Sequence, residues 1–165
     1  MKEIENEGMK QMDEHIKIKV KRVNSAESKE IAVPRYATQG AAGADLYACL
    51  DQDLILKPGE RAAIPTGIAI ELPTSKLVAL VFARSGLASH KGLTLSNGVG
   101  VIDSDYRGEI KVLMVNLGQE NVIIQNGERI AQLIFINVYQ ALFIESEELG
   151  ETLRGEGGFG STGQK

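Results

Sequence analysis

Residues 53–82 read DLILKPGERAAIPTGIAIELPTSKLVALVF, and this stretch decides the fold class. It holds four short apolar runs separated by turn signals, which are KPGE at 57–60, PTG at 65–67 and Pro73. Short apolar runs between Pro- and Gly-containing turns are typical of β-strands. Turns at intervals of about 8 to 12 residues predict an all-β sandwich or barrel.

The same pattern continues on both sides of this stretch. Residues 16–21, IKIKVK, alternate strictly between apolar and basic, which predicts a strand with one buried face. Three further apolar runs follow at 110–115, 122–124 and 130–138. Residues 85–92, SGLASHKG, break the pattern with a hydroxyl start and a glycine stop, so we expect one short helix there.

Two of the predicted strands, 77–82 and 130–136, are apolar on both faces instead of alternating. Such strands are buried on both sides. In a chain this small, burial on both sides requires either a thick sandwich or an interface between subunits. We favour the interface and therefore expect an oligomer.

The composition is that of one globular domain. The chain has 165 residues, of which 43% are hydrophobic and 24% charged, so it has enough apolar surface for a full core. The net charge is −4, and acidic residues are concentrated in segments 2–14 and 145–156. This charge excludes nucleic acid as a partner held by bulk attraction. A small phosphorylated ligand, with or without a divalent cation, needs only a local basic pocket and is compatible with it.

Cysteine and histidine are scarce. The single Cys49 excludes an internal disulfide and a cysteine-based zinc site, and it fits a reducing compartment. With only His15 and His90, a histidine-rich metal site in one chain is excluded too. Apolar runs stay short of the roughly 18 residues of a membrane-spanning helix, and no targeting signal is visible. We therefore expect a soluble protein without membrane contact, cytoplasmic, or nuclear if the source is a eukaryote.

The two ends differ from the β domain that we expect over 16–150. Residues 1–15 are charged throughout and predict a disordered extension. Residues 151–165 contain RGEGGFGSTG at 154–163, where five glycines make ordering costly. The other side chains of this tail suit a nucleotide, because an arginine can bind a phosphate, an aromatic ring can stack on a base and hydroxyls can bind phosphate oxygens. The tail predicts a mobile lid that orders on a ligand; a plain flexible terminus is the alternative.

Two segments of the domain place charge beside small residues. Residues 40–46, GAAGADL, present the carboxylate of Asp45 on backbone that a ligand can approach closely, although a tight turn between strands explains the same residues. Residues 83–88, ARSGLA, put Arg84 and Ser85 at the start of the expected helix, where N–H groups favour a phosphate. Ser85 as a simple N-cap is the competing interpretation, and the two roles are compatible.

Residues 98–110, GVGVIDSDYRGEI, are the most informative internal segment. A simple turn needs no more than Asn-Gly or Asp-Gly, whereas this segment carries two aspartates, a tyrosine and an arginine among apolar residues. Asp103 follows Ile102, which we expect to be buried, so its carboxylate can be held as a base for water. In residues 127–133, GERIAQL, Gln132 lies among apolar neighbours and needs a partner, either backbone or ligand.

These segments, in this order and at these spacings, resemble the five motifs of the trimeric deoxyuridine triphosphate nucleotidohydrolases, the dUTPases. The matching segments are 40–46, 83–88, 97–108, 127–133 and 154–163, so the resemblance covers nearly all of the chain beyond residue 16. It implies a jelly-roll β subunit in a homotrimer whose sites combine motifs from three subunits. It also implies Mg²⁺-assisted hydrolysis of dUTP to dUMP and pyrophosphate, which keeps uracil out of DNA and supplies dUMP for thymidylate synthesis.

The resemblance further implies a role for each motif residue. Asp103 resembles the acid that activates the attacking water, and Asp45 resembles the acid that holds the metal through water. Tyr106 resembles the ring under the deoxyribose, where it leaves no space for a 2′-hydroxyl. Asn97, with Gly100 and the backbone of a hairpin over 98–103, resembles the reader of uracil. The remaining residues resemble those that bind the phosphates or, for Phe159, stack on the base: Arg84, Ser85, Gly86, Gln132, Arg154, Phe159, Gly160, Ser161 and Thr162.

Two rival functions remain from the sequence. Deoxycytidine triphosphate deaminases share the β architecture, but they carry a second serine and a later arginine where this chain has SGLA at 85–88. They also need a carboxylate beside C4 of the base, which the sequence does not clearly supply. The other rival is a non-catalytic protein that responds to a nucleotide through its tail. The intact Asp103 and the intact tail favour catalysis, and ammonia release from dCTP would identify a deaminase.

Overall fold

The computed structural model describes residues 15–23 and 31–158. Over these residues the chain forms twelve β-strands and one short α-helix. The predicted extension over 1–15 falls outside the described residues except for its last residue, and so do Phe159, Gly160, Ser161 and Thr162 of the predicted lid. The helix found in the described residues has seven residues, too few to span a bilayer.

The largest sheet has five antiparallel strands. They are β2 (Arg35–Tyr36), β3 (Ala44–Tyr47), β7 (Leu77–Ala83), β9 (Gly100–Ile102) and β12 (Arg129–Asn137). Their order across the sheet is β2-β3-β12-β7-β9. The pair β12 and β7 is the longest, running without a break from Ala131 opposite Ala83 to Asn137 opposite Leu77. The short strand β9 lies at the edge and pairs with β7.

Three smaller antiparallel sheets complete the fold. One pairs β1 (Lys19–Arg22) with β6 (Ile68–Glu71), and another pairs β4 (Leu54–Leu56) with β11 (Val122–Ile124). The third contains β5 (Arg61–Pro65), β8 (Leu93–Leu95) and β10 (Lys111–Asn116) in the order β5-β10-β8. Strands that are distant in sequence therefore lie side by side, as in a sandwich.

The inner faces of these sheets meet in one hydrophobic core. Its least accessible side chains come from different sheets: Leu46, Ile64, Met114, Ile124 and Ile130. Antiparallel layers around a single core are the arrangement of a jelly roll. The predicted all-β fold with one short helix is confirmed.

Most predicted elements appear within one or two residues of their predicted positions. The helix α1 (Ser85–Lys91) ends at Gly92, which has φ 65° and donates its N–H to the carbonyls of Ala88 and Leu87. This left-handed cap is a conformation that glycine adopts without strain. The strands missed by the sequence patterns are β2, β3, β8 and β9, each with two to four residues, too short for an alternation to be read.

The prediction that one face of residues 16–21 is buried is wrong for a single chain. Ile16 is 51% exposed and Val20 is 37% exposed. With Ile18, Tyr36 and other apolar side chains they line a groove of about 680 Å³. Burial of this face therefore needs atoms beyond the described residues.

Candidate active site

A pocket of about 270 Å³ lies beside the edge strand β9 and the loop that follows it. Its lining includes four predicted site residues, Asn97, Gly100, Asp103 and Tyr106. Apolar side chains from β7 and β8 form another part of the wall, and Glu109 and Lys111 add charge. The third motif therefore folds back on the sheet to make one concave site.

Two expectations for this motif are wrong. Ile102 is half-buried instead of buried, and Asp103 is exposed in the single chain. Residues 98–103 do not form a hairpin either, because β8 pairs with β10 whereas β9 pairs with β7. The chain crosses from one sheet to another here, through a turn in which Gly98 has φ 70°. A positive φ suits glycine, and it lets the turn be short.

The position of Tyr106 is set by its own loop. Its backbone N–H donates to Asp103 O at 3.2 Å, and its Oη donates to Glu109 O at 3.0 Å. The Arg107 guanidinium donates to Ser104 O and to Tyr106 O, at 2.8 and 3.0 Å. These hydrogen bonds close the loop on itself and hold the half-exposed ring at the pocket wall.

A second cluster forms where β3 pairs with β12. Asp45 is in β3, not in a loop or a turn as expected, and it is only 8% exposed. Its Oδ1 lies 3.1 Å from Arg84 Nε, and its Oδ2 lies 3.2 Å from Arg129 Nη1. Arg84 also donates to Arg129 O at 3.0 Å. Two guanidinium groups face one carboxylate, so the cluster carries a net positive charge that suits an anion.

Gln132 joins this cluster to the helix start. It lies opposite Asp45 in the sheet, and its Nε2 donates to Ala83 O at 3.0 Å. The backbone alternative for its partner is therefore confirmed. A Cβ on Gly43 would lie 2.6 Å from Gln132 Oε1, so the glycine makes room for the amide. Through Gln132, β12 connects segment 40–46 with segment 83–88.

The N-cap interpretation of Ser85 is wrong. The N-cap of α1 is Arg84, with φ −89° and ψ 126°, and it makes no side-chain capping hydrogen bond. Ser85 and Gly86 form the start of the helix and are exposed. The hydroxyl and the first N–H groups of the helix therefore face solvent beside the arginine cluster.

Arg154 lies apart from both clusters in the single chain. Its Nε donates to Gly157 O at 2.8 Å, and the Gly157 N–H donates back to Arg154 O at 3.1 Å. These bonds are local to the tail. The structure therefore gathers segment 97–108 at the pocket, and it gathers segments 40–46, 83–88 and 127–133 at the arginine cluster. The described part of the tail joins neither group.

Sequence reasoning missed three residues of these clusters. Arg129 pairs with Asp45, and the signal for it was an arginine at the start of an otherwise apolar strand. Gly108 packs against Tyr106, where a Cβ would lie 2.5 Å from the ring Cζ. Lys111 lines the pocket from β10, and no sequence signal distinguishes it from other outward-facing lysines.

Residues 29–163 match the family model described as dUTPase. A deoxyuridine 5'-triphosphate nucleotidohydrolase of Desulfitobacterium hafniense (strain DSM 10664 / DCB-2) is 56% identical over 146 residues, which cover 88% of this chain and 97% of the relative. The protein of the same name from Escherichia coli O45:K1 (strain S88 / ExPEC) is 48% identical over 149 residues, covering 90% and 99%. A solved structure, the Staphylococcus bacteriophage 80alpha dUTPase with dUPNHPP, has a TM-score of 0.75 and 26% identity, covering 89% of this chain and 98% of that chain.

The family match includes all five motif segments and the two residue clusters described above. The curated relatives are matched over almost their whole length, so the likeness is not confined to a shared module. The sequence motifs, the jelly-roll fold and the relatives agree, and we conclude that the chain belongs to the dUTPase family, whose named members are nucleotidohydrolases.

Proposed function

We propose that this protein hydrolyses dUTP to dUMP and pyrophosphate, and so keeps uracil out of DNA and supplies dUMP for thymidylate synthesis. The observation that carries the proposal is the 270 Å³ pocket, which gathers Asn97, Asp103 and Tyr106 beside Gly100. These are the groups needed for a base, an attacking water and a sugar. The relatives named for this activity support it, and so does the phage dUTPase solved with dUPNHPP.

Uracil would be read by Asn97 and by the edge of β9. Edge strands present N–H and C=O groups that can pair with a ligand. Within the described residues, β9 pairs with β7 on one side and has no strand on the other. Cytosine would leave buried groups unpaired and thymine would place its methyl group against the wall, so both bases are disfavoured.

The deoxyribose would lie against Tyr106. The pocket volume of about 270 Å³ is near the lower limit for ligand sites, which suits a nucleoside and leaves the phosphates outside. The ring forms part of the wall, so a ribose 2′-hydroxyl would collide with it. This is the basis on which we expect UTP to be rejected.

Asp103 would accept a proton from the attacking water. Its carboxylate lines the same pocket as the base and sugar groups. The water oxygen then bonds to the α-phosphorus, the bond from this phosphorus to the bridging oxygen breaks, and pyrophosphate leaves with the bonding electron pair. Positioning and charge neutralisation account for most of the catalysis in such phosphoryl chemistry.

The triphosphate would bind at the positive cluster. Arg84 is already oriented by Asp45, and Ser85 and Gly86 present a hydroxyl and backbone N–H groups next to it. Gln132 is fixed against Ala83 in the same place. The tail residues Arg154, Phe159, Gly160, Ser161 and Thr162 would close over the ligand, with Phe159 on the base.

Mg²⁺ fits this site as an ion held mainly by the substrate. Among the described residues there is no cluster of three acidic, histidine or cysteine side chains that could hold a metal. Asp45 has an arginine on each oxygen, but a carboxylate accepts about four hydrogen bonds, so it can also accept from a metal-bound water. When bound, Mg²⁺ would neutralise charge on the triphosphate.

We also propose that the protein is a homotrimer with sites shared between subunits. An arm without helix or strand, residues 138–153, follows β12. Its large apolar side chains are almost fully exposed in the single chain. Their exposed fractions are 99% for Tyr139, 86% for Leu142, 93% for Phe143, 80% for Ile144, 90% for Leu149 and 112% for Leu153. At about 150 Å² each, these six side chains carry roughly 900 Å², close to the about 800 Å² that each partner buries in a standard interface.

The outer face of the five-stranded sheet points to the same assembly. Val101 is 61% exposed and Ile136 is 42% exposed, although both belong to strands of this sheet. Leu80 and Ile134, which pair across β7 and β12, are only half-buried. A threefold contact on this face would complete the burial expected from strands that are apolar on both sides, and the arm would carry Arg154 toward a neighbouring subunit.

Pyrophosphate release from dUTP, UTP, dCTP and dTTP tests the proposed activity. We expect dUTP to be strongly preferred, and Asp103→Asn to lose turnover by roughly 10² to 10⁴ while still binding dUMP. Near-normal turnover in this variant would exclude Asp103 as the base. Ammonia release from dCTP would identify a deaminase instead, and nucleotide binding without pyrophosphate release would identify a non-catalytic switch.

A mixing experiment tests the shared sites. Asp103→Asn chains are combined with chains that end at Leu153, and the subunits are allowed to exchange. Mixed trimers can assemble a site with an intact Asp103 and an intact tail from different chains, so some activity should return. A monomer by light scattering, or no activity after demonstrated exchange, would contradict the trimer.

A further inference from the structure

The sugar wall of the pocket depends on a contact behind the tyrosine ring. Gly108 packs against Tyr106, and an ideal Cβ built on Gly108 would lie 2.5 Å from Cζ and 2.9 Å from Cε2 of the ring, with Oη closer still. Ordinary van der Waals contacts of a Cβ begin at 3.4 Å. Any side chain at position 108 would therefore force the ring to move by about 1 Å.

The requirement for glycine comes from the ring and not from the backbone. Gly108 does not have a positive φ, so an alanine is compatible with its backbone conformation. The colliding atoms belong to the far end of one side chain, which is 44% exposed. An alanine should consequently be accommodated by displacement of Tyr106, with little effect on folding.

The second support of the ring is the backbone carbonyl of Glu109, the residue after Gly108. Tyr106 Oη donates to Glu109 O at 3.0 Å. Glu109 is itself anchored, because its Oε1 accepts the Gly67 N–H at 2.9 Å and the next residue, Ile110, donates its N–H to Ile68 O at 2.9 Å. The acceptor therefore lies in a segment that is hydrogen-bonded to residues 67 and 68. A ring that shifts by 1 Å moves away from this acceptor and loses the hydrogen bond.

A displaced ring also changes the pocket wall. Tyr106 lines the 270 Å³ pocket together with Glu109. A Cβ at position 108 would move the ring away from position 108. The wall against which the sugar would lie would then lose its original shape.

We infer that Gly108 is a positioning residue for sugar selection: its missing Cβ lets Tyr106 lie back against the loop, bonded to Glu109 O, so that the pocket admits deoxyribose and still excludes ribose. This inference rests on the proposed function, since it concerns how the same site distinguishes dUTP from UTP. It concerns a residue that acts only through the ring of Tyr106.

The test is a double-mutant cycle with a matched glycine control. Gly108→Ala should lower kcat/KM for dUTP by about 10- to 100-fold, as expected for a wall displaced by about 1 Å. The preference for dUTP over UTP should shrink, because kcat/KM for UTP, whose 2′-hydroxyl already collides with the ring, should fall less than kcat/KM for dUTP. Gly59→Ala, in the turn between β4 and β5 where no atom lies within 4 Å of an ideal Cβ, should keep both values, because this turn is remote from the ring.

The cycle distinguishes an effect of Gly108 on the position of the Tyr106 ring from an effect on the conformation of the whole loop. In a Tyr106→Ala background there is no ring to displace, so adding Gly108→Ala should change kcat/KM less than about twofold. Additive losses in the two backgrounds would overturn the inference, as would an unchanged dUTP preference in Gly108→Ala.

A readout that does not need activity completes the design. A crystal structure of Gly108→Ala should show Tyr106 displaced by about 1 Å with its bond to Glu109 O broken, and an unmoved ring would overturn the inference. The parent protein is assayed first, because failure to hydrolyse dUTP in preference to UTP would overturn the proposed function itself. The ring position in the crystal does not depend on that result.

Discussion

Asp45→Asn is the sharpest test of the arginine cluster, because it removes one charge while keeping the shape of the side chain. Asp45 is 8% exposed and accepts from Arg84 at 3.1 Å and from Arg129 at 3.2 Å. An asparagine keeps one acceptor oxygen for one arginine. Its NH₂ group then faces the other guanidinium, donor against donor, so one charge-assisted hydrogen bond is lost.

The magnitude follows from these contacts and their exposure. A hydrogen bond to a charged group contributes about 1.5 to 3 kcal/mol. The side chains of Arg84 and Arg129 are 28% and 49% exposed, so water compensates part of the loss. We expect the free energy of unfolding to fall by about 2 kcal/mol, equivalent to about 4 to 8 °C in Tm for a chain of this size.

The assay is thermal or urea unfolding at one fixed protein concentration, since the stability of an oligomer depends on concentration. The kcat/KM for dUTP should fall about tenfold as well, because Arg84 loses the partner that orients it. A variant that melts within about 1 °C of the parent would refute the stabilising role of the cluster. Unchanged kcat/KM would refute the role in orienting Arg84.

Glu71→Gln is the matched control, because it neutralises a carboxylate in an exposed ion pair. Glu71 Oε1 lies 2.9 Å from Lys19 Nζ, and the two side chains are 42% and 79% exposed. The hydrogen bond and the charge of Lys19 lower the pKa of Glu71 below its usual value of 4.5. The stabilisation is therefore present at neutral pH and is lost as the pH falls through the lowered pKa. At such exposure it is small, so we expect little change in Tm or activity.

Three further predictions concern the frame of the site and its lid. Asn116 is fully buried and makes hydrogen bonds with both ends of its amide, so Asn116→Leu should lower the free energy of unfolding by about 2 to 4 kcal/mol in urea titrations, and an unchanged midpoint would contradict this. Gly92→Ala should lower Tm clearly more than Gly59→Ala. Both glycines have a positive φ, but only a Cβ at position 92 would meet other backbone, at 2.7 Å from the Cα of Gly118. Equal shifts in Tm would refute the steric argument. Deleting residues 154–165 should leave Tm nearly unchanged but make turnover of dUTP very slow, and full activity would reduce the tail to a flexible terminus.

The sequence by itself determined the elements that depend on near neighbours. The turns between 53 and 82 predict where strands stop, because Pro and Gly restrict or free the backbone locally. The helix ends at Gly92 for the same reason. The order and spacing of five motifs were enough to predict the family. The short strands β2, β3, β8 and β9 were not predicted, because two to four residues are too few to show a period. In addition, β3 lies in a run of small residues.

Only the tertiary structure decided how distant residues meet. Asp45 and Arg129 are 84 positions apart, and they form an ion pair because β3 and β12 pair in one particular register. The chain between β8 and β9 crosses between sheets instead of turning back as a hairpin, which leaves the edge of β9 at the pocket. The fit of Gly108 behind Tyr106 is likewise a matter of ångströms in a closed loop. Sequence patterns report which residues can be buried or bent, whereas side-chain contacts depend on register and packing, which are set by the whole sheet at once.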